Sequence, residues 1–230
     1  GGVLQVISDA TETAPTITLR LTLVGEHPVL TDIADADAYL AELQNSPYPI
    51  TELKMGGVEI HSKADKMLEA INADPYNGDL DFFFSDLDHY MIKDTYNLAG
   101  YAGDGLSLNT AVAAYCTDKG WDCTSDTVHA SPSTQHINVD TYAHCGGGCS
   151  GNPYDQVWPL GPLGWGETHE IGHNLQPGRL KIHGGQSTEV SNQIFPLHKH
   201  YVYQQDTGES LSADRVTYFN TFNISSNYSL

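Results

Sequence analysis

Residues 166–176 read Gly-Glu-Thr-His-Glu-Ile-Gly-His-Asn-Leu-Gln and are followed by Pro177-Gly178. The Pro-Gly pair ends a predicted helix that begins within residues 164–166. In such a helix, His169 and His173 lie about 40° apart around the axis and one turn apart along it. Both imidazoles therefore reach a single ion on one side of the helix.

Two glutamates complete a predicted metal site. Glu170 projects beside the ion, where it accepts a proton from the attacking water. Glu189 is the predicted third ligand, because Ser187 as an N-cap puts it in the first turn of a second helix packed against the first. Two His and one Glu leave a fourth position open for water, which is the arrangement of a catalytic Zn²⁺ site. The alternative is that the histidines are surface residues and Glu189 is a favourable charge at a helix start.

Two segments, 165–176 and 188–195, resemble the signature of the enhancin-like gluzincin metallopeptidases. That family includes viral enhancins and bacterial mucinases of the accessory colonisation factor type. The match consists of His-Glu-x-Gly-His-Asn-x-Gln and the later Glu-Val-x-Asn, while residues 151–153 loosely resemble an upstream Gly-x-Pro segment. The resemblance implies an α+β gluzincin-like domain, with a mixed sheet beside the zinc helix. It also implies cleavage of mucin-like O-glycosylated proteins, with sugar recognition beside the peptide bond.

Three residues are candidates for substrate binding. Trp165 either stacks on a sugar or anchors the zinc helix in the core, and both interpretations stay open. Asn152 lies in the Gly-x-Pro segment, residues 151–153, and Asn192 lies in the segment 188–195. Many gluzincins have Asp four positions after the glutamate ligand, whereas this chain has Gln193 there. Any group that supports the ligands from this segment is therefore predicted to be a carboxamide.

Pro196 is predicted to end the second helix early, and a helical subdomain found in family members is expected to be truncated.

A transition-state oxyanion needs a hydrogen-bond donor opposite the base. The downstream candidates are His183, His198, His200, Tyr201 and Tyr203.

The charge balance excludes one class of partner. The chain has 10 basic and 29 acidic residues among 230, a formal net charge of -19. Proteins that bind nucleic acid concentrate Lys and Arg on one face, so no nucleic-acid partner is expected. No apolar run approaches the roughly 20 residues of a membrane-spanning helix, so no membrane span is expected. The opening residues 1–3 suggest an excised piece of a longer precursor.

The four cysteines form two close pairs, and two disulfides are the simplest prediction, Cys116 with Cys123 and Cys145 with Cys149. A four-cysteine metal site and free thiols are the alternatives. Disulfides imply a secreted, periplasmic or cell-surface location.

The remaining pattern predicts the secondary structure. Polar and apolar residues alternate over 16–23, which predicts a strand. Residues 32–44 and 64–71 have helical spacing, and a strand is predicted around 58–60. Residues 82–84, three phenylalanines, are predicted to be strand or core. A short strand is expected around residues 137–139.

Residues 1–50 are predicted to form a small β-rich leading segment, and residues 51–230 the catalytic domain. The predicted function is that of a secreted zinc metalloendopeptidase acting on mucin-type O-glycoproteins. The rivals are a zinc-containing adhesion module that binds glycans without hydrolysis, and a general endopeptidase indifferent to sugars. The oligomeric state is left open.

Overall fold

A computed structural model describes residues 18, 20–22, 24–101, 108–123, 135–139, 143–144, 155–176, 178, 181 and 187–211. Its strands are β1 (Val29–Leu30), β2 (Ile50–Met55), β3 (Val58–Lys63), β4 (Gln135–Val139) and β5 (Ala143–His144). Its helices are α1 (Ala36–Asn45), α2 (Ala64–Asn72), α3 (Leu80–Asp86), α4 (Asp94–Ala99), α5 (Thr110–Lys119), α6 (Trp165–Leu175), α7 (Thr188–Ser191) and α8 (Ile194–Thr207). A 3₁₀ turn, Ile33–Asp35, precedes α1, and a π-helical stretch, Leu87–Lys93, joins α3 to α4.

The strands form one mixed sheet in the order β1-β2-β3-β4-β5. β2 and β3 pair antiparallel across a tight turn at Gly56 and Gly57, whose φ angles are 54° and 79°. β1 pairs parallel with β2, and β4 pairs parallel with β3. Sheet and helices share one hydrophobic core, so the predicted α+β class is confirmed.

The core explains why α6 lies where it does. Ile60 of β3 pairs in register with Ile137 of β4, and both are 1% exposed. Ile171 and Leu175 of α6 are packed in the same cluster. Because they are four residues apart, they form one apolar stripe, which fixes which face of α6 points away from the core.

Several predicted elements are confirmed. The helices over 32–44 and 64–71 correspond to the 3₁₀ turn with α1 and to α2, and the strands around 58–60 and 137–139 correspond to β3 and β4. α1 and β1 belong to the common core, while the division into a leading segment 1–50 and a catalytic domain 51–230 stays a prediction.

The strand predicted over 16–23 is wrong where the structure describes it. Residues 20–22 lie outside any strand, and Leu21 is 49% exposed. Alternation stabilises a strand only where a neighbouring strand accepts its hydrogen bonds and one face is covered. The strand that pairs with β2 at this edge of the sheet is β1, residues 29–30.

The phenylalanines of residues 82–84 are helical, so the strand alternative is wrong. Asp79 caps α3 by accepting a hydrogen bond from the Phe82 amide at 3.0 Å. Phe83 and Phe84 are fully buried, as the core alternative predicts, whereas Phe82 is 40% exposed. Three consecutive apolar residues show no period, so their pattern did not distinguish helix from strand.

Pro196 does not end the second helix. The chain turns at Asn192 and Gln193, between α7 and α8, and Pro196 lies in the first turn of α8. The first amides of a helix have no intrahelical acceptor, so a proline is tolerated there.

Candidate metal centre

The zinc helix predicted from the sequence is α6. Its core stripe turns His169 and His173 to the opposite side, where their side chains are 12% and 9% exposed. Their Nε2 atoms are 3.0 Å apart, and the two rings meet edge to face.

Glu189 of α7 meets both rings. Its Oε2 atom lies 3.0 Å from His169 Nε2 and 3.2 Å from His173 Nε2. Three ligand atoms around a tetrahedral ion with bonds of 2.0–2.1 Å are separated by about 3.3 Å, so the observed triangle fits such an ion. The chemistry also fits, since two imidazoles and one carboxylate are the donor set of catalytic zinc sites. The structure thus brings together the three predicted ligands.

Glu170 stands beside this triangle. Ligand atoms of Glu170, His169 and His173 all lie within 4.8 Å of one another. Glu170 is partly buried and lies next to the predicted ligands. This is the position that a proton acceptor for water needs.

Burial lowers the pKa of His173, and the neighbouring His169 lowers it further, while Glu189 opposes both effects. The lower pKa favours the neutral imidazole, which is the form that binds metal.

Asn192 and Gln176 hold α7 against α6. The Asn192 side-chain amide donates to the main-chain carbonyl of His169. The Gln176 amide donates to Ser191 Oγ at 2.5 Å, and that hydroxyl donates to the Ser187 carbonyl at 2.8 Å. These bonds fix the carboxylate-bearing helix relative to the imidazole-bearing one.

Gly172 permits this contact. A Cβ at this position would lie 2.4 Å from Asn192 Oδ1 and 2.4 Å from Phe195 Cδ2. Side chains of this kind do not approach a real Cβ so closely, and both neighbours are buried. The glycine in the His-Glu-x-Gly-His motif therefore serves close packing between the ligand-bearing segments.

Two buried side chains of opposite charge, Lys199 and Glu167, support the start of α6. Lys199 of α8 is 0% exposed, and its Nζ donates to the carbonyls of Gly164 and, at 3.2 Å, Pro162. Glu167 is 3% exposed and accepts from the Gly161 amide at 2.7 Å. Burial raises the pKa of Glu167, which Lys199 partly opposes, and burial lowers the pKa of Lys199 to about 8.

Lys199 is not among the site residues predicted from the sequence. The signal was present, because Phe195, Lys199 and Tyr203 follow one another at four-residue spacing and all three are buried. A lysine within an apolar helical stripe indicates a buried cation that needs specific acceptors.

The predicted substrate residues have different placements. Trp165 is partly buried, donates from Nε1 to Gln193 Oε1 at 2.8 Å and packs edge-on against His200. Asn192 is fully buried and holds the ligand helix, which differs from the predicted substrate contact, because its amide is directed at the His169 carbonyl. Asn152 lies outside the described residues, as do the predicted disulfide partners Cys145 and Cys149.

The downstream candidates for the oxyanion donor also have different placements. His198 Nδ1 is 2.9 Å from Asp94 Oδ1, and Tyr203 packs on Tyr90, so both belong to contacts of α8 with preceding helical segments. Tyr201 is 58% exposed. His200 packs on Trp165 at the start of α6, whereas His183 lies outside the described residues.

Two findings bear on the predicted setting of the protein. Cys116 and Cys123 form a disulfide with sulfurs 2.14 Å apart, which confirms that pair. Among the described residues, no helix is long and apolar enough to cross a bilayer.

Fold and site together define an α+β domain with a candidate metal centre, whose predicted ligands lie on α6 and α7. No protein-family model matches the chain. The chain is similar to the immunomodulating metalloprotease of Pseudomonas aeruginosa, with 44% identity over 230 residues, 97% of this chain and 25% of the relative.

Solved structures give the same result. The IMPa metallopeptidase from Pseudomonas aeruginosa matches with a TM-score of 0.71 and 45% identity, over 86% of this chain and 23% of that one. IMPa in complex with an O-glycopeptide matches with a TM-score of 0.70 and 46% identity, over the same shares. The predicted resemblance to metallopeptidases is confirmed, and the metallopeptidase class implies a metal ion. The chain spans about a quarter of the length of these relatives.

Proposed function

We propose that this protein is a zinc-dependent endopeptidase that cleaves peptide bonds in mucin-type O-glycoproteins. The observation that carries the proposal is the triangle of His169, His173 and Glu189, with ligand atoms 3.0 to 3.2 Å apart. Glu170 lies at the edge of this triangle. The similarity to a metalloprotease, and to IMPa solved with an O-glycopeptide, supports the reaction and the substrate class.

Each residue has a distinct part in the proposed reaction. His169, His173 and Glu189 would hold Zn²⁺, which when bound supplies Lewis-acid chemistry to the scissile carbonyl and to water. Glu170 accepts a proton from the attacking water and returns it to the leaving amine. Trp165, held by Gln193 and His200 at the start of α6, is the proposed position where a substrate sugar stacks.

The site of action is proposed to be outside the cytoplasm. The Cys116–Cys123 disulfide supports this, since such bonds persist in oxidising compartments and are rare in the cytosol.

The test compares one O-glycosylated peptide with its unglycosylated twin. Each is incubated with the full-length protein, with and without a chelator, and new termini are identified by mass spectrometry. We expect the glycopeptide to be cleaved and its unglycosylated twin to stay intact. We expect the chelator to abolish cleavage. The Glu170→Gln variant should retain its metal and fold while losing nearly all hydrolysis, and Glu42→Gln, an exposed glutamate of α1, serves as the matched control.

Other outcomes reject specific parts of the proposal. Equal cleavage of both peptides would indicate an endopeptidase indifferent to sugars. Binding of the glycopeptide without new termini would indicate an adhesion module. Unchanged cleavage by Glu170→Gln would reject the assigned base.

A further inference from the structure

A second cluster of metal-binding side chains lies on the sheet, apart from the four residues just described. Glu59 and His61 of β3 alternate with buried Val58 and Ile60, so they share the opposite face of the sheet. His136 of β4 is paired in register with Glu59. The sheet thus places two histidines and one glutamate from two strands on one face.

The three ligand atoms surround a common point. His136 Nδ1 lies 3.2 Å from Glu59 Oε2 and 3.4 Å from His61 Nε2, and the last two atoms are 4.0 Å apart. The point equidistant from all three is about 2.1 Å from each, which is the length of zinc–nitrogen and zinc–oxygen bonds. No backbone movement is needed for the three groups to share one ion.

A buried carboxylate orients the first histidine. His61 Nδ1 lies 3.1 Å from Glu52 Oε1, and the Glu52 side chain is only 3% exposed. A histidine that binds metal through one nitrogen commonly donates its other N–H to a carboxylate, which fixes both the tautomer and the ring. Glu52 therefore directs the Nε2 lone pair of His61 toward Glu59 and His136.

Two nearby cationic or titratable groups contact Glu59 and Glu52 through other atoms than Glu59 Oε2. Lys54 Nζ lies 3.6 Å from Glu59 Oε1, the oxygen that does not face the histidines, and 3.7 Å from Glu52 Oε2. His27 Nε2 lies 3.4 Å from Glu52 Oε1. The His136 side chain is 42% exposed, so an ion can reach the cluster from solvent.

We propose that Glu59, His61 and His136 bind a second divalent transition-metal ion, such as Zn²⁺. Imidazole nitrogens favour zinc-like ions over Ca²⁺ or Mg²⁺, which prefer oxygen ligands. The ion would connect β3 to β4 and stabilise this parallel pair. It would thereby join the β2–β3 hairpin to β4 and β5, the strands that contact α6. This site shares no residue with the proposed catalytic centre.

Zinc stoichiometry of the full-length protein tests the proposal by equilibrium dialysis against buffered Zn²⁺. A His169→Ala/His173→Ala variant removes the first site, and we expect it to retain one zinc that is lost when Glu59→Gln/His136→Gln is added. The control adds Glu69→Gln/His89→Gln instead, which removes an exposed glutamate and an exposed histidine elsewhere. The proposal is overturned if the first variant binds no zinc, or if its zinc survives Glu59→Gln/His136→Gln.

Two further measurements distinguish the loss of a metal ligand from misfolding of the variant. Zn²⁺ should raise the Tm of the His169→Ala/His173→Ala variant, because a ligand that binds only the folded state stabilises it. In the same background, Glu52→Gln keeps every ligand and should weaken zinc binding by about 10- to 100-fold. A Tm unaffected by Zn²⁺, or an unchanged affinity in Glu52→Gln, contradicts the site.

Discussion

Asn192 donates a hydrogen bond from its fully buried side-chain amide to the main-chain carbonyl of His169. Asn192 directly follows α7, which bears Glu189, while His169 is a proposed ligand on α6. The bond therefore connects the backbone of one proposed ligand to the segment that carries another. The geometry of the metal centre depends on how closely these two segments pack.

Gly172→Ala should disturb that packing. The new methyl group would lie 2.4 Å from both Asn192 Oδ1 and Phe195 Cδ2, and both side chains are buried, so something must shift to admit it. We expect a loss of about 1–3 kcal/mol in the free energy of unfolding, together with weaker zinc binding. Urea denaturation and chelator competition measure the two effects.

Gly178→Ala is the matched control for this substitution. Within the part of the chain that the structure describes, no heavy atom lies within 4 Å of a Cβ built there. We expect little change in stability or zinc affinity. Equal effects of the two alanine substitutions would show that the contact at Gly172 is not responsible.

Glu189→Gln should separate metal binding from folding. The Glu189 side chain is 70% exposed, so its replacement should change the free energy of unfolding by less than about 0.5 kcal/mol in the metal-free protein. Zinc affinity at the first site should fall by at least about 100-fold, because a carboxylate ligand is lost. Isothermal titration with Zn²⁺ measures this, and Glu209→Gln, an exposed glutamate beyond α8, should behave as the unmodified protein.

Lys199→Met should destabilise the protein by about 2–4 kcal/mol. The substitution leaves Glu167 buried without its nearby cation and removes the donor to the carbonyls of Pro162 and Gly164. The double variant Lys199→Met/Glu167→Gln should recover part of the loss, because the unpaired buried charge is gone. Urea unfolding of the three proteins measures the coupling, and strictly additive losses would contradict it.

The pair of His198 and Asp94 predicts a pH dependence of stability. The hydrogen bond to Asp94 raises the pKa of His198, and burial only partly opposes it. A raised pKa in the folded state gives stability that is fully present below the unfolded pKa of about 6.5 and is lost as the pH rises through the folded pKa. The His198 side chain is 36% exposed, so solvent screening limits the contribution to less than about 1 kcal/mol.

The measurement compares urea unfolding of the unmodified protein and His198→Gln at pH 5.5 and pH 9. The stability difference between them should be larger at the lower pH. His89→Gln removes an exposed histidine paired with exposed Asp206 and should show a smaller change. A difference independent of pH would contradict the assignment to His198.

Local patterns predicted much of the fold correctly. α1, α2 and β3 were predicted close to their observed positions, because each has an apolar period and a stop signal within its own residues. The strand over 16–23 and the end of the helix at Pro196 were wrong. The first depended on a neighbouring strand, and the second depended on where the chain turned before the proline.

The sequence by itself determined that His169 and His173 lie on one side of one helix, since four residues of α-helix fix that relation regardless of the surroundings. The sequence also predicted Glu189 as the third ligand and Glu170 as the proton acceptor. Only the tertiary structure decided how the carboxylate approaches the rings, because that depends on Asn192 packing into the space left by Gly172.

Tertiary structure alone also brought His61 beside His136, and Lys199 beneath the start of the zinc helix. Strand pairing and helix packing join residues that are far apart in the chain. No period or spacing in the sequence encodes such contacts directly, because they arise from which apolar faces bury one another when the whole core assembles.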